Sequence, residues 1–241
     1  MAVPAPLKLP ATVQQRLFAD SAECAQALAL TVAAALRDGL RRRDAASLIV
    51  SGGRSPVAFQ EALSAQELDW GKVLVSLADD RWLPPDHADS NERLVRQHLL
   101  HGTAAAARFV PLVNAAVMPE QHLRAAEQAL LQLARPYDAV VLGMGEDGHT
   151  ASLFPGADGT AAALDLGRPQ RLAAVSPVTA PYPRITLTLR ALLDARALLI
   201  LIQGEAKRAA IERVMRCDPA QFALTAVLRQ VAVPVQVFYS P

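Results

Sequence analysis

The sequence predicts an α/β fold, in which helices cover both faces of a mostly parallel, doubly wound, Rossmann-like sheet. Three observations favour this fold. Short apolar runs alternate along the chain with longer segments of helical spacing, as in repeated strand–helix units. Several of these runs end at glycine or at charged residues, as buried strands do where they enter loops. The chain has 241 residues, of which 52% are hydrophobic and 20% are charged, and this suffices for a sizeable core.

The first half of the chain contains alternating strand and helix patterns. Ser21 is the predicted N-cap of a helix that reaches about Arg43, and Pro56 stands where a first helical turn tolerates proline. The predicted strands are 47–50, 73–77 and 109–113, and the further helices are 57–63 and 91–100.

The second half continues the alternation. Pro119 opens a predicted helix over 120–134, and Gly204 precedes another over 205–215. A loop-rich region extends from the glycines after residue 142 to about Pro169. The predicted strands are 137–142, 172–176, 185–189, 197–202 and 233–238. Because no repeat or linker interrupts this order, residues 1–241 are expected to form a single domain.

Charge and cysteine content argue against several protein classes. The net charge is +1, and the one basic run, residues 41–43, ends a predicted helix, so no nucleic-acid partner is expected. The apolar stretch 25–36 is too short to span a bilayer, and no signal pattern precedes it, so no membrane partner is expected. Cys24 and Cys217 have no metal or redox spacing, which predicts buried thiols in a reducing compartment, the cytoplasm. A monomer and a small homo-oligomer both remain open.

Four predicted strands end at clusters of glycine, charge or histidine. The clusters are 51–56, 78–82, 143–152 and 203–207. Ligands of open α/β sheets bind beyond the carboxyl ends of the strands, so the four clusters are expected to meet at one site. Polar residues are common at strand ends, however, and this placement alone does not define the chemistry.

The segment Ser51-Gly-Gly-Arg-Ser-Pro56 has the properties of an anion site. Gly52 and Gly53 allow close approach of the backbone, and the following helix offers free N–H groups. Arg54 and Ser55 add side-chain donors. The segment is not a Walker loop, because no Gly-Lys-Ser/Thr follows at the required spacing. A simple glycine turn between strand and helix is the alternative interpretation.

Two later cations fit an anion site less specifically. Lys207 lies in the first turn of a predicted helix, where the helix dipole disfavours a lysine unless an anion is bound there. An exposed surface lysine is the alternative. Arg184 precedes a predicted strand, where a solvated arginine is the ordinary interpretation.

The segment Gly143-x-Gly145-x-x-Gly148 matches the spacing of the dinucleotide fingerprint. That motif requires a helix that opens at the third glycine and an acidic residue at the end of the following strand. Here Pro155 and Gly156 stop the chain at once, and no such acid follows, so a dinucleotide is not expected.

His149 lies on this glycine-rich loop beside Asp147. Histidine is the usual general base near neutral pH, and a carboxylate can orient it. A loop histidine bonded to backbone is the alternative. The other four histidines have no metal-ligand spacing, and no Gly-x-Ser-x-Gly elbow is present, so neither a metal site nor a serine hydrolase is expected.

With these segments in place, the chain resembles the 6-phosphogluconolactonase family, within the glucosamine/galactosamine-6-phosphate isomerase superfamily. The most specific stretch is Leu142-Gly-Met-Gly-Glu-Asp-Gly-His-Thr-Ala-Ser-Leu-Phe-Pro-Gly156. The order and spacing fit over about residues 47–215, and Asp80 stands where the family usually has Glu. The other matching blocks are Asp79-Asp-Arg-Trp-Leu-Pro-Pro-Asp with Asp89-Ser-Asn91, Ser51-Gly-Gly-Arg-Ser-Pro56, Pro183-Arg-Ile-Thr-Leu-Thr188 and Gly204-Glu-Ala-Lys207.

The resemblance implies a glucosamine-6-phosphate deaminase-like fold and a reaction. The reaction is hydrolysis of 6-phospho-D-glucono-1,5-lactone to 6-phosphogluconate in the oxidative pentose phosphate pathway, without a cofactor. The resemblance implies that His149 is the general base on water, that Asp147 orients it, and that Arg81 stabilises the oxyanion or binds sugar hydroxyls. The implied phosphate and substrate ligands are Gly52, Gly53, Arg54, Ser55, Asp80, Arg184 and Lys207.

Two alternatives share this architecture. A glucosamine-6-phosphate deaminase usually has an acidic residue shortly after the histidine and a tyrosine after the acidic block. Here residues 150–155 contain no carboxylate, and Arg81 and Trp82 follow the acids. A sugar-phosphate sensor domain normally carries a DNA-binding domain, for which the stretch before Ser47 is too short and apolar.

Overall fold

The computed structural model describes residues 3–114 and 117–241. The strands of this part are β1 (Gln14–Leu17), β2 (Ala46–Val50), β3 (Val73–Leu77), β4 (Asp79–Arg81), β5 (Arg108–Phe109), β6 (Ala139–Leu142), β7 (Leu172–Val175), β8 (Arg184–Leu187), β9 (Leu198–Gln203) and β10 (Val235–Ser240). The α-helices are α1 (Ser21–Arg43), α2 (Val57–Ser64), α3 (Asn91–His98), α4 (Pro119–Leu130), α5 (Thr160–Leu164), α6 (Leu189–Leu192), α7 (Glu205–Val214) and α8 (Ala223–Arg229). Two short 3-10 helices are Trp70–Lys72 and Gly102–Ala106.

Seven strands form a parallel sheet in the order β1-β10-β9-β6-β2-β3-β5. From β2 the chain moves outward through β3 to β5, and then returns to the other side of β2 at β6. From β6 it moves outward through β9 and β10. Because such crossovers are right-handed, the reversal places the helices of the two halves on opposite faces of the sheet. The predicted α/β fold is confirmed.

The central strands follow the sequence closely. All residues of β2, β3 and β6 are buried, as their mainly apolar sequences predicted. The long helix α1 begins at Ser21, one residue earlier than predicted, because its N-cap is Asp20, whose carboxylate accepts hydrogen bonds from the backbone N–H groups of Ala22 and Glu23. The prediction of Ser21 as N-cap was therefore wrong by one residue.

Three strands stand apart from the main sheet. In the order β4-β8-β7 they form a second, antiparallel sheet, so two predicted strands, 172–176 and 185–189, do not belong to the parallel sheet. Strand β4 was not predicted, because Asp-Asp-Arg contains no apolar run. This small sheet brings Arg81 of β4 opposite Arg184 of β8.

The edges of the sheet were predicted least well. The predicted strand 109–113 is reduced to the two residues of β5, and β1 and α8 were missed. Edge strands lack the continuous burial that makes a central strand recognisable. In the described part of the chain, no helix is both long and apolar enough to cross a membrane.

Candidate active site

A cavity of about 180 Å³ opens at the carboxyl ends of β2 and β6. These two strands are neighbours, and the chain leaves them toward opposite sides of the sheet, so their ends form the switch point where doubly wound sheets bind ligands. The walls come from the segments after both strands, from β4 and β8, and from α3 and α7. All four clusters expected at strand ends therefore contribute to one cavity.

Most of the predicted site residues line this cavity. Asp147 and Asp80 are not part of the lining, but Asp147 is hydrogen-bonded to His149, which is. The predicted residues in the lining are Gly52, Gly53, Arg54, Ser55, Arg81, His149, Arg184 and Lys207.

The anion-binding part of the cavity consists of residues 51–56, here called the phosphate loop, together with Lys207. Lys207 Nζ donates a hydrogen bond to Ser55 Oγ at 3.0 Å. Burial lowers the pKa of Lys207, while the negative charge of Glu146 raises it and the positive charge of Arg54 lowers it further. A bound anion would stabilise Lys207 and Arg54 together.

The backbone of the phosphate loop is open at one glycine and crowded at the other. Gly53 has φ +95°, and a side chain there would meet no atom within 4 Å. At Gly52, by contrast, a Cβ would lie 1.9 Å from Asn91 Oδ1. Gly52 therefore allows α3 to approach the loop, and Gly53 supplies a backbone conformation that other residues rarely adopt.

His149 and Asp147 form a hydrogen-bonded pair on residues 143–152, here called the base loop. His149 Nδ1 lies 2.5 Å from Asp147 Oδ1, and the backbone N–H of His149 donates to the same oxygen at 3.2 Å. The hydrogen bond from His149 lowers the pKa of Asp147. Because an ionised carboxylate can only accept, Nδ1 carries the proton of the neutral imidazole and Nε2 holds the lone pair.

The base loop leaves no room beside this pair. A Cβ on Gly145 would lie 2.3 Å from His149 Cε1 and 2.5 Å from Asp147 Oδ1. No helix opens at Gly148, since the next helix along the described chain is α5, which begins at Thr160. The glycines thus form a turn beside His149. The prediction that no dinucleotide-binding helix opens at the third glycine is confirmed.

Arg81 and Arg184 face each other across the small sheet. Arg184 is 6% exposed, and its guanidinium donates to the carbonyl oxygens of Pro181 at 3.0 Å and Tyr182 at 3.3 Å. Burial and the positive charge of Arg81 lower the pKa of Arg184. Arg184 is buried and Arg81 is half-buried, and a negative ligand or transition state would stabilise both guanidinium groups.

The comparisons with known proteins agree with this geometry. The family described as glucosamine-6-phosphate isomerases/6-phosphogluconolactonase matches residues 19–235. The chain belongs to this family. Its resemblance to 6-phosphogluconolactonases, seen first in the sequence, is thereby confirmed at the level of the family.

Individual relatives within the family cover nearly the whole chain. A 6-phosphogluconolactonase from Pseudomonas aeruginosa is 46% identical over 224 residues, or 92% of this chain and 94% of that protein. One from Pseudomonas putida is 41% identical over 98% of this chain and 96% of that protein. The crystal structure of a 6-phosphogluconolactonase from Shewanella baltica has a TM-score of 0.91 at 36% identity, covering 98% of this chain and all of that chain.

Asp80, which the family resemblance implied as a substrate ligand, is directed away from the cavity. Its carboxylate accepts hydrogen bonds from the backbone N–H groups of Arg81, Asn91 and Glu92 at 2.7–3.0 Å. Burial raises the pKa of Asp80 to about 6. Asp80 thus fixes the start of α3 against β4.

Asp79 and Asn91 are among the cavity residues that the sequence did not identify. Asp79 is 6% exposed and accepts a hydrogen bond from Ser152 at 2.5 Å, and Asn91 donates to the backbone oxygen of Asp79 at 2.9 Å. Successive side chains of a strand point to opposite faces. Once Arg81 was assigned to the site, this alternation would have selected Asp79 and excluded Asp80.

Proposed function

We propose that this protein hydrolyses 6-phospho-D-glucono-1,5-lactone to 6-phosphogluconate. The observation that carries the proposal is the combination, in one cavity, of a histidine held by a carboxylate with a cationic, glycine-rich anion site. Relatives that are named 6-phosphogluconolactonases and cover almost the whole chain support it. On this proposal the protein is a carboxylic ester hydrolase of the oxidative pentose phosphate pathway.

The proposed reaction begins with water beside His149. Nε2 removes a proton from the water, and the oxygen of that water adds to the C1 carbonyl carbon of the lactone. The carbonyl oxygen becomes an oxyanion, which the guanidinium groups of Arg81 and Arg184 stabilise. When the bond from C1 to the ring oxygen breaks, His149 returns the proton to that oxygen. The product is a free hydroxyl and a carboxylic acid, which ionises in water.

Asp147 acts on this reaction through His149. Its carboxylate holds Nδ1–H, so Nε2 remains the proton acceptor, and its negative charge stabilises the imidazolium that forms during attack. A positioned base of this kind contributes about 10²- to 10⁴-fold to the rate.

We propose that the phosphate loop and Lys207 hold the 6-phosphate. Backbone N–H groups near Gly52 and Gly53, together with Arg54, Ser55 and Lys207, offer several donors to one dianion. Arg184, which the resemblance implied as a phosphate ligand, lies beside Arg81, and we assign it to the lactone end of the cavity.

The test is the release of acid from freshly made phosphorylated lactone, with the spontaneous hydrolysis subtracted. The same preparation is given glucosamine 6-phosphate and assayed for ammonia, because the family also contains isomerases. We expect rapid hydrolysis of the lactone and no ammonia. Ammonia release with no acceleration of lactone hydrolysis would contradict the proposal.

Three finer expectations belong to the same proposal. We propose that residues 1–241 act as a single domain, as a monomer or small homo-oligomer, in the cytoplasm. The two free thiols, Cys24 and Cys217, and the metabolic role of the relatives support the cytoplasmic location.

A further inference from the structure

Phe154 lies directly after the base loop but outside the main hydrophobic core. Its residue surface is 5% exposed, and it belongs to a separate small cluster with Ala157 and Val175, against which Ala180 packs. A large aromatic ring with small apolar neighbours contributes little to the central core. Its position therefore has another explanation.

The ring of Phe154 stacks on the imidazole of His149. The two ring centroids are 4.0 Å apart, and the planes are inclined by 26°. Stacked aromatic rings resist rotation of either ring out of the stack. Together with the hydrogen bond that His149 donates to Asp147 and the turn at Gly145, this contact defines both the plane and the edge that His149 presents to the cavity.

Phe154 also lies near the guanidinium group of Arg184, which we assign to the lactone end of the cavity. The guanidinium carbon of Arg184 lies 5.7 Å from the centroid of the Phe154 ring. Aromatic faces attract cations, and the imidazolium formed during the reaction is also a cation. One ring thus stacks on the proposed base and restrains a nearby arginine.

We propose that Phe154 is a positioning residue for lactone hydrolysis, which aligns the His149 ring with the attacking water and the Arg184 guanidinium with the developing oxyanion. This inference rests on the proposed function. It assigns no contact between Phe154 and substrate, so its loss is expected to reduce kcat and leave KM nearly unchanged.

The test compares a variant that keeps an aromatic face, Phe154→Tyr, with two that remove it, Phe154→Leu and Phe154→Met. We expect kcat to fall about 10-fold in Leu and Met variants with KM changed less than about 2-fold, and to stay within about 3-fold of the unmodified protein in the Tyr variant. The control is Phe109→Leu, since Phe109 stacks with Arg96 at 4.8 Å outside the cavity lining, and it should behave like the unmodified protein.

A second readout needs no substrate. Ring ¹⁵N relaxation of His149 is expected to show a fixed ring in the unmodified protein and in the Tyr variant, and a mobile ring in the Leu and Met variants, because the stacking contact is lost there. Unchanged ring mobility and unchanged kcat in the Leu and Met variants would overturn the proposal, as would an equal loss of kcat in the Tyr variant. If the unmodified protein fails to hydrolyse the lactone, the proposed function fails, while the spectra still decide whether Phe154 positions His149.

Discussion

The phosphate loop and the base loop are both glycine-rich segments at neighbouring strand ends, but they use glycine differently. In the phosphate loop, Gly52 packs against Asn91 but Gly53 borders open space, and Arg54 and the neighbouring Lys207 present cations to the cavity. In the base loop, Gly145 is tightly enclosed by His149 and Asp147. The first loop offers charge to a ligand, whereas the second fixes the geometry of a reacting group. Substitutions in the first should therefore act on binding, and in the second on the rate of the chemical step.

Crowding in the base loop predicts the largest effect among the variants that test this contrast. Gly145→Ala places a methyl group 2.3 Å from His149 Cε1, so both the ring and Asp147 must move. We expect kcat for the phosphorylated lactone to fall about 10²-fold, because displacement of a reacting group by about 1 Å has a cost of that order.

The matched control is Gly71→Ala. The nearest atom to a Cβ there is Asp69 Oδ1 at 3.8 Å, and Gly71 does not line the cavity. Its steady-state rates should equal those of the unmodified protein. A Gly145→Ala variant with normal kcat would show that the base loop tolerates displacement, which removes the contrast between the loops.

Lys207→Met tests the binding half of this contrast. It removes the cation that bonds to Ser55 of the phosphate loop and leaves His149 and Asp147 in place. We expect KM for the phosphorylated lactone to rise about 10- to 100-fold, since a charge-assisted contact to phosphate contributes about 1.5–3 kcal/mol. KM for unphosphorylated gluconolactone should hardly change.

Lys72→Met is the control for that experiment, because Lys72 pairs with Asp44 and Asp69 on the surface. If Lys207→Met raises KM equally for both lactones, Lys207 does not recognise the phosphate.

Asp80 predicts the smallest effect, because it belongs to neither loop. Its folded-state pKa of about 6 lies above the ordinary value of 3.8, so the folded state binds the proton more tightly than the unfolded chain. This contribution to stability is fully present below pH 3.8 and is lost as the pH rises through 6. The unmodified protein should thus gain about 1 kcal/mol of unfolding free energy from this group between pH 7 and pH 5.

Asp80→Asn should lack that gain. The measurement is the difference in the pH dependence of urea unfolding between the two proteins, which isolates this one group. Identical pH profiles would show that Asp80 does not titrate in this range.

The sequence predicted the centre of the fold and part of the cavity lining, for a physical reason. The buried strands β2, β3 and β6 are apolar apart from Ser47 and Ser76, and strand ends in such sheets bring distant residues such as Gly52, His149 and Lys207 together. Pairings that depend on tertiary contacts were not predictable in this way. The small antiparallel sheet rests on the polar strand β4, and neighbouring Asp79 and Asp80 differ only in the face of β4 that each occupies.

The central claim is that His149 is the general base of a lactonase, and one comparison tests it most directly. His149→Ala and His98→Ala are assayed with the phosphorylated lactone, since His98 pairs with Glu61 and does not line the cavity. We expect His149→Ala to lose about 10²- to 10⁴-fold in kcat while it remains folded, and His98→Ala to keep full activity. A folded His149→Ala protein with nearly full activity would contradict the claim.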